Sequence, residues 1–492
     1  MQQAIQKRQV DVAIIGAGTA GLSAYNAAKH YTDNLLLIEA KTFGTTCARV
    51  GCMPSKLLIA AADYAHHGKS GDVFGVTYAA PEINGAAVME RVRRERDRFV
   101  ASVIKTVDEF PPENKLMGRA KFQSRSVLIV TQQDGTEIEV SAKRIVIATG
   151  SSPVIPDSLK AAAPHLVVSD DVFEWRDLPK SVAIFGPGVI GLELGQALSR
   201  LGVRVAVFGK SGALAAIKDP SICEYADMEF NREFYLDLKA NIEEIRSEID
   251  GVAIRYAHRQ KGVITEKFDY VLATTGRRPN IDGLNIESAD LSLNNDGIPY
   301  YNRYTGQCGS SPIYIAGDAS SDVPLLHEAV DEGRIAGGNA ARTLRNPDDI
   351  RAGVRRTPLS VVFTDPQIAS VGQSLEEIRR ACSDCYAIGE VSYEKQGRAQ
   401  VINKNRGLLR IYAEQGTGLL LGAEMFGPAA EHIAHQLAWV IQLRLTVQQV
   451  LDLPFYHPVL EEGVRTALRD LNRKLRLGVI SENTCLDCGP GA

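Results

Sequence analysis

The stretch Val10-Asp-Val-Ala-Ile-Ile-Gly-Ala-Gly-Thr-Ala-Gly21 decides the fold. Its apolar first half predicts a buried parallel strand, and its glycine-rich second half leads into a helical stretch. Gly16 permits the tight turn, Gly18 lets a phosphate approach the backbone, and Gly21 lets the helix pack closely on the strand. A pyrophosphate would then meet the N–H groups and the dipole of the helix N-terminus.

A second apolar run, Leu35–Ile38, follows that helix and ends in Glu39. A carboxylate at this point can accept hydrogen bonds from a ribose diol. A glycine fingerprint alone is a weak signal, but strand, fingerprint, helix, strand and acid in this order are a strong one. The N-terminal part of the chain therefore predicts a dinucleotide-binding domain.

A second fingerprint of the same kind lies later in the chain. Ser181–Phe185 predicts a strand, Gly186-Pro-Gly188-Val-Ile-Gly191 supplies the glycines, and Arg204–Phe208 predicts the following strand. Two fingerprints in one chain predict two bound dinucleotides, and hence electron transfer between them.

The second fingerprint differs from the first where its second strand ends. Gly209 stands there instead of an acid, and Lys210 follows. A missing carboxylate and an added cation favour a 2′-phosphate, which predicts NADPH. The alternative, that Lys210 is an ordinary surface lysine, stays open.

A reactive dithiol is predicted in Cys47-Ala-Arg-Val-Gly-Cys52-Met-Pro-Ser-Lys56, just downstream of the first fingerprint. The glycine between the two cysteines gives the backbone the freedom to close a small disulfide ring. Pro54 and Ser55 are typical helix-start residues. A helix N-terminus there would lower the pKa of a nearby thiol, because its partial positive charge favours the thiolate.

An acid–base element is predicted in Phe455-Tyr-His457-Pro-Val-Leu-Glu-Glu462. Thiol–disulfide exchange needs a group that takes a proton from an incoming dithiol and returns it later. A histidine with a near-neutral pKa, oriented by a carboxylate, suits that task. Alone, His457 would be interpreted as a packed or surface histidine, so this assignment depends on the other motifs.

The composition is typical of a globular α/β protein. The chain has 492 residues, of which 45% are apolar and 23% charged, with 43 glycines and a net charge of −4. This charge gives no electrostatic case for binding nucleic acid or an anionic membrane. We expect no signal peptide and no membrane span. Eight cysteines are too few for a disulfide scaffold, so we expect redox-active cysteines and a cytoplasmic location.

Together these motifs resemble the class I pyridine nucleotide–disulfide oxidoreductases over roughly residues 8–475, and within them the dihydrolipoamide dehydrogenases. The redox loop and the histidine–glutamate element both match the family pattern. Asp318, in Ile315-Ala-Gly-Asp-Ala, matches the aspartate of the family's FAD site. Phe363–Gly372 resembles the opening of the family's interface domain.

The resemblance implies an α/β fold with two Rossmann-like dinucleotide-binding domains, for FAD and NAD(P), and a C-terminal α+β interface or dimerisation domain. The implied ranges are 1–152 for the FAD-binding domain, 153–280 for the NAD(P)-binding domain, 281–354 for the return to the FAD or central domain, 355–475 for the interface domain and 476–492 for a C-terminal tail.

The resemblance also implies roles for the site residues. Cys47 would exchange with substrate and Cys52 would be the thiolate beside the flavin. In a homodimer, His457 and Glu462 of one subunit would serve the disulfide of the other. Lys56 would pair with Glu193 beside the flavin ring. The expected cofactor-binding residues are Gly16, Gly18, Gly21, Glu39, Thr46, Lys56, Thr149, Gly150, Asp318, Gly186, Gly188, Gly191, Glu193, Lys210 and Gly276.

The implied activity is oxidation of dihydrolipoamide, with electrons passing through the disulfide and FAD to NAD(P). Val189-Ile190 favours lipoamide, because glutathione reductases carry a tyrosine within this fingerprint. Gly44-Thr-Thr-Cys47 and Ala48-Arg-Val50 depart from the usual lipoamide pattern, and Gly209-Lys210 is more similar to the NADPH-using mercuric reductases. Two alternatives stay open. One is an NADPH-dependent reductase of another disulfide or a metal ion, and the other is a flavoprotein subunit kept mainly to assemble a multienzyme complex, with a lipoyl domain as partner.

Two CxxC pairs are left over. Cys485 and Cys488, near the C-terminus, are candidates for an outward electron relay such as mercuric and large thioredoxin reductases use, although an unused tail is the favoured interpretation. Cys382 and Cys385 could join them in a Cys₄ zinc site, but the spacing fits known zinc sites poorly. We therefore predict no metal site.

Overall fold

The computed structural model describes residues 5–476, in which the chain forms two compact units. Unit 1 holds the residues up to Leu57, then Glu90–Val154 and Gly276–Arg355. Unit 2 holds Leu58–Met89, Ile155–Thr275 and the chain from Arg356 onward.

The strands are numbered in chain order. They are β1 (Gln6–Ile15), β2 (Leu35–Glu39), β3 (Lys115–Met117), β4 (Arg119–Ser124), β5 (Val127–Thr131), β6 (Glu137–Ile147), β7 (Ser151–Pro153), β8 (Leu166–Val168), β9 (Ser181–Phe185), β10 (Arg204–Phe208), β11 (Tyr235–Asp237), β12 (Ile242–Glu248), β13 (Gly251–His258), β14 (Gly262–Phe268), β15 (Tyr270–Ala273), β16 (Arg277–Pro279), β17 (Ile313–Ile315), β18 (Leu359–Val362), β19 (Gln367–Gly372), β20 (Tyr386–Ser392), β21 (Leu408–Glu414) and β22 (Leu420–Gly427).

The α-helices are numbered in the same way. They are α1 (Thr19–Ala28), α2 (Thr46–Val50), α3 (Cys52–His67), α4 (Gly85–Asp108), α5 (Ser169–Val172), α6 (Val189–Arg200), α7 (Pro220–Phe230), α8 (Leu326–Arg342), α9 (Leu375–Ala381), α10 (Gly397–Val401), α11 (Ala430–Gln442), α12 (Val447–Leu451) and α13 (Glu462–Lys474). Short 3₁₀ helices lie at Gly68–Phe74, Pro112–Asn114, Asp157–Ala162, Asp282–Leu284, Ile286–Ala289, Gly317–Ser320 and Tyr393–Lys395.

Unit 1 is built on a sheet with the strand order β3-β2-β1-β6-β5-β4, and β17 also pairs with β6. The strands β3, β2, β1, β6 and β17 pair in parallel, whereas β4 and β5 pair antiparallel. Along β1, Val12 and Ile14 face one apolar core while Ala13 and Ile15 face another. Because successive side chains of a strand point to opposite faces, this continuous apolar run is what a sheet covered on both sides requires.

Close helix packing covers one face of that sheet. A Cβ atom at Gly333 of α8 would lie 2.2 Å from the carbonyl oxygen of Ala20 of α1, and one at Gly337 would lie 2.2 Å from that of Ala24. Small residues four positions apart on both helices therefore let the two backbones touch. This contact ties the helix of the first fingerprint to a segment that comes some 300 residues later in the chain.

Unit 2 contains a parallel sheet and two antiparallel ones. The parallel sheet has the order β11-β10-β9-β15-β8, and β12-β13-β14 form an antiparallel meander. The third sheet, β18-β19-β22-β21-β20, is antiparallel and packs against α11 and α13. On α13 the buried residues Val464, Ala467, Leu468 and Leu471 follow the helical period, which places one apolar stripe against the sheet.

The meander β12-β13-β14 was not predicted from the sequence. Its first strand, Ile242–Glu248, reads Ile-Glu-Glu-Ile-Arg-Ser-Glu and lacks the alternation of a half-buried strand. The buried residues of the meander are concentrated on its middle strand, where Val252, Ile254 and Tyr256 enter the core shared with β9 and β10. Tertiary packing therefore overrides a weak local pattern here.

Candidate functional site

The first fingerprint forms a cradle that leaves space at its middle glycine. Gly16 has a φ of +104°, and a Cβ there would lie 2.3 Å from the carbonyl oxygen of Ala148. A Cβ at Gly21 would lie 1.8 Å from the carbonyl oxygen of Gly16, whereas a Cβ at Gly18 would meet nothing within 4 Å. The first and third glycines are thus required by close packing, and the second faces open space where α1 begins. A pyrophosphate fits this space.

Glu39 lies at the end of β2 and is held against the cradle. Its Oε2 accepts a hydrogen bond from the Ala17 N–H at 2.8 Å, and its Oε1 accepts one from the Lys41 N–H at 2.9 Å. The carboxylate is therefore fixed beside the fingerprint loop, in the position from which it can accept hydrogen bonds from a ribose.

Two further predicted residues lie in unit 1 near the same loop. Thr149 directly follows Ala148, which packs on Gly16, and its buried Oγ1 makes no hydrogen bond to any described residue. Asp318 accepts a hydrogen bond from Ser151 Oγ at 2.7 Å. The cradle, the Glu39 carboxylate and the unpartnered Thr149 hydroxyl together fit an adenine dinucleotide such as FAD.

Two residues that hold Asp318 in place were not identified from the sequence. Glu332 of α8 is buried, and its Oε2 accepts a hydrogen bond from the Gly317 N–H at 2.8 Å. Arg355 Nη1 donates to the other oxygen of Glu332 at 2.8 Å. Burial acts to raise the pKa of Glu332, and the hydrogen bond and charge of Arg355 oppose that rise. A buried acid opposite a distant arginine carries no local sequence signal.

The redox loop places the two cysteines on consecutive helices. Cys47 lies in α2, next to Thr46 at its start, and Cys52 is the first residue of α3. The structure holds the pair as two thiols, with Cys47 half-buried and Cys52 exposed. Lys56 lies one turn further along α3.

The thiol of Cys47 hydrogen-bonds to Cys52. This hydrogen bond, followed by burial, raises the pKa of Cys47, while the positive charge of Lys56 acts in the opposite direction. The sequence led us to expect a lowered thiol pKa near a helix start. At Cys47 the direction is the reverse, because the hydrogen bond to Cys52 and burial both favour the neutral thiol. Cys52, and not Cys47, is the first residue of α3 and lies at the positive end of that helix.

The second fingerprint repeats the geometry of the first. Gly186 has a φ of +111°, and a Cβ there would lie 2.4 Å from the carbonyl oxygen of Thr274. A Cβ at Gly191 would lie 2.1 Å from the carbonyl oxygen of Gly186, and a Cβ at Gly188 would again meet nothing within 4 Å. Space for a second pyrophosphate therefore opens at the start of α6.

The end of β10 leaves no room for an acidic side chain. A Cβ at Gly209 would lie 2.7 Å from the carbonyl oxygen of Leu238 and 2.9 Å from Cγ of Pro187. Lys210, the next residue, is exposed. A second exposed lysine, Lys239, lies on the facing segment; the sequence analysis missed it because it is about 30 residues away in the chain.

Lys239 faces the segment that carries Lys210. A Cβ at Gly212 would lie 2.7 Å from Cε of Lys239, and the Gly212 N–H donates to Leu238 O at 2.9 Å. Two exposed lysines therefore lie near the end of β10, together with Asp237 of β11, whose Oδ1 accepts a hydrogen bond from the Lys239 N–H at 2.9 Å. Gly276, a further predicted residue, has a φ of +116° and belongs to unit 1.

Glu193 is buried in α6, two residues after Gly191. Its Oε1 accepts a hydrogen bond from the Phe363 N–H at 2.9 Å, at the point where the chain enters the third sheet. Lys56 belongs to unit 1 and Glu193 to unit 2, and their pairing beside a flavin stays a prediction.

The histidine–glutamate pair is assembled at the start of α13. His457 Nδ1 lies 3.1 Å from each carboxylate oxygen of Glu462. The Val459 N–H and Arg465 Nη2 each donate to that carboxylate, both at 3.2 Å. Because Glu462 is only 13% exposed and holds Nδ1, the largely exposed imidazole presents Nε2 to an incoming group.

A charge cluster that the sequence did not reveal lies in unit 2. Arg200 of α6, only 2% exposed, binds Glu233 at 2.8 Å, Asp63 at 3.0 Å and Asp365 at 3.2 Å. Lys404 binds the same Asp365 oxygen at 2.8 Å. Asp63 lies in the C-terminal half of α3, so the ion pair with Arg200 ties that part of the helix to α6. A bidentate arginine among three acids fixes geometry more than it adds stability.

Six cysteines remain, of which Cys223 is half-buried and free. Cys382 and Cys385 form a disulfide, which the sequence analysis did not predict. Burial raises the pKa of Cys308 to about 12. Cys485 and Cys488 lie outside the described residues, so the relay stays a prediction. Between residues 5 and 476, no group of three or more His, Cys, Asp or Glu side chains is arranged to hold a metal ion.

Comparisons with known proteins cover most of the chain. Residues 10–333 match the sequence profile described as pyridine nucleotide-disulphide oxidoreductase, and residues 359–468 match the dimerisation domain of the same description. The chain is 28% identical over 462 residues to the dihydrolipoyl dehydrogenase of Bacillus subtilis, covering 93% of this chain and 97% of that protein. It is 29% identical over 481 residues to the mercuric reductase of Acidithiobacillus ferrooxidans, covering 95% and 84%.

A solved structure supports the fold. The Cu(II) complex of the HOCl-induced flavoprotein disulfide reductase RclA from Escherichia coli matches with a TM-score of 0.78 at 22% identity, covering 95% of this chain and all of that one. The fold class predicted from the sequence is confirmed. Among the described residues, no helix is both long and apolar enough to cross a membrane.

Proposed function

Because the chain belongs to the pyridine nucleotide-disulphide oxidoreductase family, whose members use FAD and NAD(P), we propose that it oxidises a dithiol of the dihydrolipoamide type. Cys47 and Cys52 would accept the two electrons of the dithiol, and bound FAD and NAD(P) would supply the chemistry that passes them on. The hydrogen-bonded Cys47–Cys52 pair at the start of α3 carries this proposal. A relative named dihydrolipoyl dehydrogenase, similar along nearly its whole length, supports the substrate class.

The residues divide the chemistry into proton transfer and disulfide exchange. His457 takes a proton from the substrate dithiol, and Glu462 holds the imidazole in the orientation that leaves Nε2 as the base. The substrate thiolate attacks Cys47 of the oxidised pair, and Cys52 leaves as a thiolate. The second substrate thiol then attacks the mixed disulfide, which releases the oxidised substrate and leaves Cys47 as a thiol.

The arrangement of charges supports this order of events. Cys52 lies at the positive end of α3, close to Lys56, so that it is the better leaving group. The hydrogen bond to Cys52, followed by burial, raises the pKa of the Cys47 thiol. When bound, the flavin and nicotinamide supply the hydride transfer. The cradle of Gly16 and the carboxylate of Glu39 would hold FAD.

The dimerisation domain indicates a homodimer. We propose that the His457–Glu462 pair of one subunit serves the cysteines of the other, as the family pattern implies. A lipoyl domain of a multienzyme complex is the proposed protein partner, and the cytoplasm is the proposed location.

A second candidate function is an NADPH-dependent reductase of another disulfide or of a metal ion. The observation that favours it is the packing at Gly209, which excludes an acid, together with the cations Lys210 and Lys239. Two relatives named mercuric reductase are 29% identical to this chain, and the dihydrolipoyl dehydrogenase of Bacillus subtilis is 28% identical to it. The nucleotide preference alone does not separate the two functions, since NADP can also accept electrons from a dithiol.

The test is a turnover assay of the purified holoenzyme in both directions. Dihydrolipoamide is offered with NAD⁺ and with NADP⁺, and NADPH is offered with lipoamide, glutathione disulfide, Hg(II) and Cu(II). The proposal expects dihydrolipoamide oxidation that is lost in the C47S variant but kept in the C223S variant, a half-buried cysteine outside the pair. Turnover with a metal ion or another disulfide, and none with lipoamide, would replace the first candidate by the second.

A further inference from the structure

The Cys382–Cys385 disulfide is not used by the proposed reaction. It joins residues three apart in the short segment between α9 and β20. Cys385 is exposed and Cys382 is half-buried, and the two residues between them, Ser383 and Asp384, are exposed. The S–S bond therefore lies in a surface segment of unit 2.

A structural role explains this disulfide poorly. In the loop-entropy account a disulfide stabilises more when it closes a longer loop, and this one closes a very short ring. The backbone is also anchored without it. The Cys382 N–H donates to Ile378 O at 3.0 Å as the cap of α9, and the Gln415 N–H donates to Cys385 O at 2.8 Å. Removing the S–S bond leaves both anchors in place.

The chemistry of a CxxC disulfide fits redox exchange better. Two cysteines separated by two residues are the spacing used by dithiol–disulfide exchange sites. An accessible disulfide is attacked by any thiolate that can reach one of its sulfur atoms. If the proposed function holds, dithiols and their disulfides are the substrates and products around this enzyme, so they can reach an exposed disulfide.

We propose that Cys382–Cys385 is a second redox site, which small dithiols of the class oxidised at Cys47 and Cys52 reduce directly. The inference rests on the proposed function for its substrate class. A thiolate of the dithiol attacks the exposed Cys385 sulfur and forms a mixed disulfide, and Cys382 leaves and takes up a proton. The second thiol of the dithiol then attacks the first sulfur of the same dithiol in the mixed disulfide. This step forms the oxidised dithiol and releases Cys385, which takes up a proton. Two electrons and two protons move from the dithiol to the pair.

Charges of both signs lie around the pair. Asp384 lies between the two cysteines, Cys382 is the C-cap of α9, and the last turn of that helix carries Arg379 and Arg380. The proposal therefore rests on the position of the disulfide in an exposed segment and not on the charges around it.

The experiment is an anaerobic titration of the full-length holoenzyme with dihydrolipoamide:lipoamide mixtures, followed by rapid alkylation and peptide mass spectrometry. We expect the peptide with Cys382 and Cys385 to change from disulfide to doubly alkylated as the dithiol fraction rises. The same change is expected in the C47S/C52S variant, because the exchange is direct. The C382S/C385S variant should keep its kcat and take up one two-electron equivalent fewer.

Two outcomes would overturn the inference. In one, the Cys382–Cys385 peptide stays a disulfide under excess dithiol while the Cys47–Cys52 peptide becomes alkylated. In the other, the pair changes only when Cys47 and Cys52 are intact. Failure of the proposed function is recognised separately, because it leaves the Cys47–Cys52 peptide of the wild type unreduced by dihydrolipoamide.

Discussion

The two nucleotide fingerprints of this chain share the same glycine geometry but differ in the residue that ends their second strand. Gly16 and Gly186 both have a φ above +100°, and in both motifs only the middle glycine faces open space. At the end of the second strand, however, one motif carries Glu39 and the other carries Gly209. The backbone packing of the glycines is thus common to both motifs, and the difference lies at one position at a strand end, where we propose that the ribose is selected.

The difference at the strand end is not a simple loss of an acid. Glu39 is held by two backbone N–H groups beside its fingerprint loop. At Gly209, the space of a side chain is taken by Leu238 and Pro187. In the second motif this position is therefore filled by neighbouring residues, and the exposed lysines Lys210 and Lys239 lie near it.

The largest expected effect comes from filling the contact that both cradles share. In Gly21→Ala, the new Cβ would lie 1.8 Å from the carbonyl oxygen of Gly16, so α1 must move off the loop. We expect destabilisation by about 3 kcal/mol or more and purification without FAD. Thermal unfolding and the flavin absorbance measure this. Gly283→Ala is the control, because its Cβ would meet no atom closer than 3.9 Å. A Gly21→Ala protein with full flavin content would contradict the shared-cradle account.

The next effect concerns the acid that only the first motif has. Glu39→Ala removes a carboxylate fixed beside the loop, and we expect FAD affinity to fall roughly 10- to 100-fold, as loss of a charged hydrogen-bond partner does. Fluorescence titration of apoprotein with FAD gives the affinity. Exposed Glu109→Ala serves as the matched change of charge. Equal FAD affinities in the two variants would show that Glu39 does not contact the ribose.

A sharper test of the comparison is to give the second motif the acid of the first. Gly209→Asp should not produce an NADH enzyme, because its Cβ would meet Leu238 O at 2.7 Å. We expect destabilisation by about 1–3 kcal/mol and a lower kcat/KM with both nucleotides. A rise in kcat/KM for NADH at unchanged stability would mean that the strand end opens readily.

The smallest expected effect is at the exposed lysine. Lys210→Gln removes the positive charge next to Gly209. We expect kcat/KM for NADPH to fall roughly 10-fold, which corresponds to about 1.4 kcal/mol, and kcat/KM for NADH to change little. Lys261→Gln removes another exposed lysine of the same unit and should change neither value. If Lys210→Gln left the NADPH value unchanged, the lysine would be an ordinary surface residue.

The parts of the molecule that could be predicted are those whose residues lie close together in the sequence. Strand, fingerprint, helix and acid follow one another in Val10–Glu39, and the cysteine loop and His457–Glu462 are equally local. The fold class was therefore predicted correctly. The assigned roles of the site residues stay predictions.

What the sequence did not show depends on residues far apart in the chain. The residues around Gly209 in the sequence do not predict that Leu238 fills the space of its side chain. Those around Arg200 do not predict its ion pairs with Asp63 and Asp365. The Cys382–Cys385 disulfide is local, but a CxxC spacing is shared by metal, redox and free-thiol sites. In these cases only the folded chain brings the partners together.

The most direct test of the central claim is anaerobic rapid mixing of the holoenzyme with dihydrolipoamide, with NADH and NADPH formation recorded separately. The account predicts fast flavin reduction with a long-wavelength absorption band, loss of this reaction in the C47S variant, and reduction of added nicotinamide nucleotide. Absence of flavin reduction by dihydrolipoamide, together with rapid reduction by NADPH, would contradict it and would assign the enzyme to another disulfide or to a metal ion.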